Sequence, residues 1–496
     1  MILTAAEMKS LEARAFADGI SAEALMEEAG AQIAAAVWQF TGRAGVCVVF
    51  FGKGNNGGDA LVAARELAAG GWKIHLQPAF DASQWTALTR KKYAEVEVWS
   101  TGSKLPPQSR DLPLVLLDGL LGIGAHGPLR EPIAGMAREI NWLRSTSHAR
   151  VFALDLPTGL DADTGDVDAN CVRADFTLTI GFAKQGMLAD RAAACVGRLA
   201  VLPLDALSAR HKPTNDEASV ATACELAPLL APRPFDIHKG DCGRVGIVAG
   251  SPGFAGAAAM CAEGALRAGA GLVTLYATPD IAPILASRVA PEVMVQRVAS
   301  YLEVPDDRHD VIAVGPGLGL AHRDAVLRLI KRALCPMVVD ADALNMLAAH
   351  PETLSSCAGE RLLTPHPGEM ARLDPASAHR PRRETVRDFT QRYPVTLLLK
   401  GARTLVGQHG CLFSYNTTGS PGMATGGMGD VLIGVCAALA GQHLNLYAAA
   451  RVGAWLCGRA AELAIHRGVE SEESLTATAL LAHLGGAFKE LRARSL

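Results

Sequence analysis

The sequence VCVVFFGKGNNGGDALVAARELAA, residues 46–69, contains a buried-strand pattern, a glycine-rich turn and a helical pattern, in that order. A strand that passes through a tight glycine turn into a helix is the repeating half of a βαβ unit. Similar aliphatic runs recur at residues 73–78, 114–119, 151–157 and 176–181, with helical patterns between several of them. This alternation predicts an α/β fold built on a parallel sheet.

A second series of strand patterns occupies the other half of the chain. These runs lie at residues 244–250, 272–277, 311–315, 337–341, 361–365 and 395–401. One sheet that includes every run would be unusually large, so we expect two sheets in two domains. A polar, proline-containing stretch separates the two series, and we place the boundary near residue 215. The predicted domains are residues 1–215 and 216–496.

Composition excludes several classes of protein. The chain has 496 residues, of which 49% are hydrophobic and 20% charged, as is typical of a folded globular protein. Its 47 basic and 50 acidic residues offer no basic surface for nucleic acid or a membrane. The 11 cysteines form no CxxC pair, so we predict no zinc site and a reducing compartment. We expect a cytoplasmic protein without a signal peptide or membrane helix, and a homo-oligomer through its alanine-rich helices.

The glycine turn at residues 52–59 is the first candidate site. Its glycines let the backbone approach a phosphate, and the start of the helix offers free N–H groups. The two asparagines and Asp59 could in addition bind a monovalent cation or a polar ring. Asp118 and Asp155 each end a predicted strand, where ligands of open parallel sheets bind. Helix capping is the alternative role for each aspartate taken singly.

Three segments resemble the N-terminal domain of the YjeF family, the NAD(P)H-hydrate epimerases, over about residues 1–215. They are GKGNNGGDA (52–60), LLDGLLGIGAHGP (116–128) and ALDLPTGLDADTG (153–165). The resemblance implies a Rossmann-like three-layer sandwich with a catalytic Asp155. It implies potassium ligands at Asn56, Asp118 and Thr158. The implied substrate-binding residues are Asn55, Asn56, Gly57, Gly58, Asp59, Gly122, Ile123, Gly124, Ala125, His126, Gly127, Pro128 and Asp155.

The sequence departs from this family pattern at two positions. Ala60 follows the aspartate of the glycine turn where the family usually has glycine. Thr158 stands where the family usually has serine. Because threonine keeps the oxygen ligand, we expect the cation site to be retained.

A second glycine-rich turn, NTTGSPGMATGGMGD at residues 416–430, precedes an apolar helical pattern from Val431. Glycines at a helix start form a small anion hole that the helix dipole favours. Asp430, in the first turn, could accept a proton from a hydroxyl that attacks a phosphate. A plain helix cap is the alternative. The chain has no GxxxxGK[ST] motif, so a P-loop is excluded.

The glycine pattern before Asp430 resembles that of ribokinase-like small-molecule kinases. Residues 220–496 as a whole resemble the C-terminal domain of the YjeF family, the nucleotide-dependent NAD(P)H-hydrate dehydratases. The segments that carry this resemblance are HKGDCGRVGIVAGS (238–251), GPGLG (315–319), VVDADALN (338–345), LTPHPGE (363–369), KGART (400–404) and PGMATGGMGDVL (421–432).

The second resemblance implies a ribokinase-like three-layer sandwich in which Asp430 is the catalytic carboxylate. The implied nucleotide-binding residues are Lys400, Gly401, Ala402, Arg403, Thr404 and Gly429. The implied substrate-binding residues are Ala257, Gly317, His366 and Asp430. Two departures stand near this site: Met428 replaces a common threonine or serine, and Phe254 replaces a common tyrosine.

Several acidic and imidazole groups near the second site have open interpretations. His366, between two prolines, is either a rigid turn residue or a substrate contact. Glu369 either caps a helix or holds a metal through water. Asp340 and Asp342 end a predicted strand, where they serve either Mg²⁺ binding or the loop itself.

Together the two resemblances imply a bifunctional nicotinamide nucleotide repair enzyme. It would epimerise the R and S forms of NADH hydrate and NADPH hydrate, with K⁺ in the first domain. It would dehydrate the S form to NAD(P)H at the expense of ADP, with Mg²⁺ in the second. The sequence does not decide whether the nucleotide is ADP or ATP, and we predict ADP. The alternatives are a ribokinase-like small-molecule kinase with a non-catalytic N-terminal binding domain, and an NAD-dependent dehydrogenase that uses the GxGxxG pattern of the first glycine turn.

Overall fold

The computed structural model describes residues 1–100, 112–210 and 218–496. The chain forms two compact units, Met1–Asp216 together with Leu496, and Glu217–Ser495. The boundary predicted near residue 215 lies outside the described residues.

The first unit alternates strands and helices from its start. Its strands are β1 (Ile2–Leu3), β2 (Val46–Phe51), β3 (Lys73–Pro78), β4 (Leu114–Gly119), β5 (Arg150–Leu154), β6 (Phe176–Ile180), β7 (Ala183–Lys184) and β8 (Arg198–Leu202). Its helices are α1 (Ala5–Ala17), α2 (Ala22–Thr41), α3 (Asn55–Ala69), α4 (Ala87–Val96), α5 (Ile133–Ser147), α6 (Ala193–Val196) and α7 (Asp205–Ser208).

A six-stranded parallel sheet in the order β3-β2-β4-β5-β6-β8 forms the centre of this unit. Successive side chains of a strand point to opposite faces. Cys47, Val49 and Phe51 of β2 accordingly pack with α2 and α3, whereas Val48 and Phe50 pack with α5. The unit is therefore the three-layer sandwich that the sequence predicts. A separate two-stranded sheet pairs β1 with β7 in parallel.

Helix α3 begins earlier than the sequence suggests, because the asparagines and glycines of the turn form its first turn. Gly57 lies so near Gly52 that a Cβ there would be 2.2 Å from the Gly52 carbonyl oxygen. At Gly58 a Cβ would be 2.4 Å from the Cε of Met26. These glycines permit close packing inside a helix, although glycine disfavours helices elsewhere.

The second unit is larger. Its strands are β9 (Ala218–Val220), β10 (Arg244–Val248), β11 (Leu272–Ala277), β12 (Val293–Arg297), β13 (Val311–Val314), β14 (Met337–Val339), β15 (Arg361–Leu363), β16 (Thr396–Leu399), β17 (Leu405–Gln408) and β18 (Phe413–Tyr415). Its helices are α8 (Ala223–Leu226), α9 (Ala255–Arg267), α10 (Ala282–Arg288), α11 (Arg323–Arg332), α12 (Ala341–Ala348), α13 (Pro367–Leu373), α14 (Arg382–Arg392), α15 (Met428–Gly441), α16 (Leu446–His466) and α17 (Ala477–Arg492).

One ten-stranded sheet runs through this unit, in the order β12-β11-β10-β13-β14-β15-β16-β17-β18-β9. The strands from β12 to β16 are parallel, and the hairpin of β17 and β18 continues the sheet in antiparallel fashion. Val245 and Ile247 of β10 pack in a core with residues of α9, α15, α16 and α17. Since parallel sheets need cover on their faces, this core explains the long apolar C-terminal helices.

The two predicted series of strands are confirmed, with ends within a few residues of the expected ones. The sequence did not indicate β8, β12 or the hairpin of β17 and β18. Strand β12 is partly exposed and lies at an edge, and glycines interrupt the hairpin, so their hydrophobic patterns are weak. Among the described residues, no helix is both long enough and apolar enough to cross a bilayer.

Candidate active sites

A buried carboxylate forms the centre of the site in the first unit. Asp118, near the end of β4, is fully buried. Its Oδ2 accepts a hydrogen bond from the Thr158 backbone N–H at 2.8 Å, and its Oδ1 accepts one from the Thr158 hydroxyl at 2.7 Å. Burial raises the pKa of Asp118 to about 6, although the Thr158 bonds oppose this shift. Two predicted potassium ligands are thus in direct contact.

The third predicted potassium ligand, Asn56, reaches the same place from the first turn of α3. Its side-chain N–H donates to the Leu121 carbonyl at 2.8 Å, and the Leu121 N–H donates to the Thr158 hydroxyl at 3.2 Å. The Asn56 Oδ1 is buried without a hydrogen-bond partner. Buried polar atoms are seldom unpaired, and an orphaned amide oxygen on a residue that Leu121 links to Thr158 suits a hard cation. These residues therefore fit K⁺.

Asp155, directly after β5, has an unusual backbone and a buried counter-ion. Its φ is +64°, a left-handed conformation that non-glycine residues seldom adopt except at functional positions. Its Oδ1 is ion-paired with the Nζ of Lys184 and accepts the Ile180 N–H at 3.3 Å. Lys184 was not predicted. No local pattern marks it, because it lies on a two-residue strand and its partner is 29 residues away.

Two further carboxyl groups lie in the field of Asp155. Burial raises the pKa of Asp59, and the charge of Asp155 raises it further. Burial also raises the pKa of Glu12 on α1, and the charge of Asp155 adds a smaller increase. Carboxyl groups with pKa values raised in this way are typical of sites that hold or move protons. The sequence did not indicate that Glu12 lies in the field of Asp155.

The loop at residues 122–128 meets this site through its first residue. A Cβ at Gly122 would lie 3.4 Å from the Asn56 Cβ and 3.7 Å from Oδ2 of Asp155. The structure thus brings together three of the predicted substrate-binding residues. Gly57 and Gly58 are buried in the same turn of α3 as Asn56, and Asp59 lies in the field of Asp155. Asn55, Gly124, Gly127 and Pro128 are exposed, as is His126, whose ring approaches Asp161 at 3.5 Å.

In the second unit, Asp430 lies in the first turn of α15. The helix is preceded by Gly427, whose φ of +88° favours glycine. Burial raises the pKa of Asp430 to about 6, the charge of Asp340 raises it as well, and Lys400 opposes both. A carboxyl group with this pKa can accept a proton near neutral pH.

Lys400 connects the acidic groups of this site. Its Nζ is 2.8 Å from Oδ1 of Asp340 and 3.7 Å from Oε2 of Glu369. Burial disfavours its charge, yet Asp340 and Glu369 raise the pKa of Lys400 overall. A Cβ at Gly429 would lie 3.3 Å from the Lys400 Nζ. The predicted nucleotide residues Lys400 and Gly429 are therefore adjacent, and beside Asp430.

The remaining predicted nucleotide-binding residues form a loop after β16. Gly401 has a φ of +150°, Gly401 and Ala402 are exposed, and the Thr404 hydroxyl donates to the Gly401 carbonyl at 3.3 Å. Arg403 differs, because its side chain is buried. Arg382 of α14 fixes the loop by donating to the carbonyl oxygens of Leu399, Lys400 and Arg403 at 3.0–3.1 Å.

His366 caps α13 in the structure. Its Nδ1 accepts the N–H groups of Gly368 and Glu369, and the Glu369 carboxylate accepts the His366 backbone N–H at 2.8 Å. The capping interpretation of Glu369 is thereby confirmed, and His366 caps the same helix, a role that the sequence did not indicate. The His366 ring stays about half exposed, so it is also available to a ligand.

The predicted substrate residues Ala257 and Gly317 are in contact at the start of α9. Gly317 has a φ of +61°, and a Cβ there would lie 3.1 Å from the Ala257 Cβ. Asp342 supports this loop, because its Oδ2 accepts the Gly319 N–H at 2.8 Å. Phe254, beside Gly317, is 62% exposed, which leaves an aromatic ring at the surface of the site.

A buried ion network lies behind the second glycine turn. Arg459 of α16 donates to Glu462 and Glu490, both at 2.5 Å, and all three side chains are buried. The other oxygen of Glu462 accepts the Gly419 N–H at 2.8 Å. The network therefore positions one end of the glycine-rich turn. The sequence does not reveal it, because the partners come from separate helices and a distant loop.

Clusters of three or more His, Cys, Asp or Glu side chains close enough to share a metal are scarce. In the described ranges the single one consists of Glu23, Glu27 and Glu95. Lys92 contacts all three of these glutamates, and Arg65 contacts Glu27 and Glu95. Cations already balance the cluster, so it does not indicate a metal centre.

Comparisons with known proteins find relatives of both halves of the chain. A sequence profile described as YjeF-related protein N-terminus matches residues 22–186, and one described as NAD(P)H-hydrate dehydratase matches residues 245–482. The bifunctional NAD(P)H-hydrate repair enzyme Nnr of Coxiella burnetii is 35% identical over 489 residues, which cover 96% of this chain and 97% of that protein. The enzyme of the same name from Escherichia coli K12 is 37% identical over 436 residues, covering 84% and 80%.

Among solved structures, the ADP/ATP-dependent NAD(P)H-hydrate dehydratase of Bacillus subtilis, co-crystallised with ATP and Mg²⁺, is 27% identical. It matches 56% of this chain over its own full length, with a TM-score of 0.48.

Fold and sites define an enzyme of two α/β units, each with an acidic residue at the edge of its site. The full-length relatives narrow this class: the chain belongs to the family of bifunctional NAD(P)H-hydrate repair enzymes. The predicted resemblance to the YjeF family is confirmed for both halves of the chain.

Proposed function

We propose that the first unit epimerises the R and S forms of NADH hydrate and NADPH hydrate, and that the second dehydrates the S form at the expense of ADP. We place the functional division near residue 215. The observation that carries the proposal is the position of Asp430, a partly buried acid in the first turn of α15 beside Lys400. Membership of the repair family supports the proposal for both units.

In the second unit, Asp430 accepts the proton of the ring hydroxyl while the hydroxyl oxygen attacks the terminal phosphorus of the nucleotide. The N–H groups at the start of α15 and the ammonium group of Lys400 face the developing negative charge. The bond between that phosphorus and the rest of the ADP breaks, and AMP leaves. Phosphate then leaves the ring with the electrons of the C–O bond. The neighbouring ring carbon gives a proton to the released phosphate, and the double bond of the dihydronicotinamide forms again.

The nucleotide lies, in this proposal, between the loop Lys400–Thr404 and the first turn of α15 at Gly429. Ala257, Gly317 and His366 hold the hydrate on the other side of Asp430. Mg²⁺ bound with the nucleotide would supply charge neutralisation at the phosphates. Asp340 and Glu369, which both face Lys400, are the acidic residues that would hold it.

In the first unit, Asp155 transfers a proton at the reacting nicotinamide end of the hydrate. The turn at residues 55–59 and the loop at residues 122–128 bind the rest of the substrate. Asn56, Asp118 and Thr158 hold K⁺, which supplies a fixed positive charge. The unpaired Oδ1 of Asn56 supports this assignment.

We further propose that the enzyme is a cytoplasmic homo-oligomer. Its use of cysteines as small apolar residues suits a reducing compartment. Size determination by light scattering tests the oligomeric state.

The test of the proposed function is recovery of reduced-nicotinamide absorbance from a mixed-epimer NADH hydrate, with ADP, ATP or neither, in Mg²⁺ and K⁺. Full recovery with one nucleotide, faster than spontaneous epimerisation, is the expected result. The Asp155→Ala variant should stop at the S fraction. A stable phosphorylated product without recovered absorbance would instead support a small-molecule kinase with a non-catalytic first unit.

A further inference from the structure

We propose that Lys184 is a positioning residue of the epimerase site, which orients the Asp155 carboxylate and balances its charge. The inference rests on the proposed epimerase function. It adds to that function a residue that neither the sequence motifs nor the family resemblance identified.

Lys184 cannot act on the substrate directly, because its side chain is only 1% exposed. Its Nζ contacts three oxygens: Oδ1 of Asp155, the Thr179 hydroxyl at 3.1 Å and the Ile180 carbonyl at 3.0 Å. A lysine ammonium group has three N–H donors, so these contacts satisfy it completely. Any effect of Lys184 on the reaction must therefore pass through Asp155.

The two oxygens of Asp155 have different surroundings. Oδ1 is held by Lys184 and by the Ile180 N–H. Oδ2 faces Gly122, at the start of the predicted substrate loop. The lysine thus fixes one oxygen and leaves the other directed toward the place where the substrate lies. We assign the proton transfer to Oδ2.

The charge of Lys184 gives a second reason to assign it a role at Asp155. The carboxyl groups of Asp59 and Glu12 both lie in the field of Asp155. A third carboxylate among them would be repelled unless a cation balanced it. Lys184 is directly bonded to Asp155 and contributes its charge to the environment of both other acids. The buried ion pair therefore offsets part of the negative charge of this acidic site.

The backbone secures this arrangement from two sides. Lys184 lies on β7, in register with Leu3 of β1. Asp155 has its left-handed backbone, and its N–H donates to the Leu178 carbonyl at 2.9 Å. Both ends of the ion pair thus rest on paired strands, which keeps the carboxylate in one orientation, as a positioning residue requires.

The test compares Lys184→Met in the full chain with the wild-type enzyme, starting from purified R hydrate with ADP, Mg²⁺ and K⁺. Partners that orient a functional side chain are worth about 10–100-fold. We expect kcat for epimerisation to fall by about that factor, with KM for the R hydrate changed less than about threefold. Dehydration of the S hydrate by the second unit should be unchanged, which shows that the second unit is folded, and an unchanged far-UV circular dichroism spectrum shows the same for the first.

Lys92 offers a matched control, because it is likewise a buried lysine with carboxylate partners, but on α4. Lys92→Met should leave kcat for epimerisation close to the wild-type value. Lys184→Gln, which keeps a hydrogen-bond donor but no charge, should be impaired like Lys184→Met. In Lys184→Ala, ethylammonium should restore epimerisation, whereas ethanol of similar size should not.

Three results would overturn the inference. They are a Lys184→Met enzyme with wild-type kcat, an equal loss in the Lys92 control, and equal rescue by ethylammonium and ethanol, since the last two indicate a merely structural role. Failure of the proposed function is distinguishable, because the wild-type enzyme itself would then epimerise no faster than buffer. That result would overturn both proposals together.

Discussion

Acidification should slow the dehydration reaction through a single carboxylate. Burial and Asp340 raise the pKa of Asp430 to about 6, and the base must be ionised to accept the hydroxyl proton. The ionised fraction is then about nine-tenths at pH 7, half at pH 6 and one-tenth at pH 5. We therefore expect kcat/KM for the nucleotide to fall about tenfold between pH 7 and pH 5.

The assay measures AMP formed from ADP by chromatography, since reduced nicotinamides decay in acid. Asp430→Asn is the control variant. Loss of a general base costs about 10²–10⁴-fold, and its residual rate should no longer follow the pH midpoint near 6. The epimerase rate of the same preparation shows whether acid has simply unfolded the chain.

The structure also predicts the direction in which Lys400→Met should shift the pH profile of the dehydration. Lys400 lowers the pKa of Asp430, because a nearby cation favours the ionised carboxylate. Removal of the cation should raise that pKa and move the acidic limb to higher pH. A flat wild-type profile between pH 5 and 7, or an unmoved limb in Lys400→Met, would refute the assignment of Asp430 as base.

Three other predictions concern stability and the cation. Gly57→Ala should lower the free energy of unfolding by about 1–3 kcal/mol in urea, because its Cβ would lie 2.2 Å from a carbonyl oxygen. Gly54→Ala, with no atom within 4 Å of its Cβ, should change it by less than about 1 kcal/mol, and equal losses would contradict the packing argument. Glu462→Leu removes one of the two carboxylates that pair with the buried Arg459, and it should lower the free energy of unfolding by about 3–5 kcal/mol. Thermal unfolding measures this loss, and Glu462→Gln should show a smaller one. Asn56→Ala should abolish the difference in melting temperature between KCl and NaCl, and an identical response of the wild type to both salts would count against the K⁺ site.

The sequence predicted the fold well because buried parallel strands are continuous aliphatic runs. VCVVFF at residues 46–51, for example, is a strand at those same residues. The prediction from sequence was less accurate where glycines allow close packing inside a helix. Helix α3 starts at Asn55 rather than Ala60, since Gly57 and Gly58 are required by close neighbours and not by a turn. Propensity describes the isolated chain and cannot register such neighbours.

The candidate sites were predictable where they lie in local motifs. Asp118 and Thr158, for instance, each belong to a strand end with a glycine loop, and they meet as expected. Lys184 and Glu462 were missed because each acts on a group far away in the chain. A buried charge of this kind has no local signature, since its partner is chosen by the tertiary fold.

The pairing of β1 with β7 has a consequence for the order in which the first unit is assembled. Leu3 is paired with Lys184 across about 180 residues of chain. Closing a loop of that length carries an entropic cost of about 4–5 kcal/mol, which a contact between two-residue strands cannot offset alone. The central sheet must therefore form first and bring these residues together. During synthesis, the amino-terminal strand then waits for most of its domain to emerge, so β1 joins β7 among the last steps of folding.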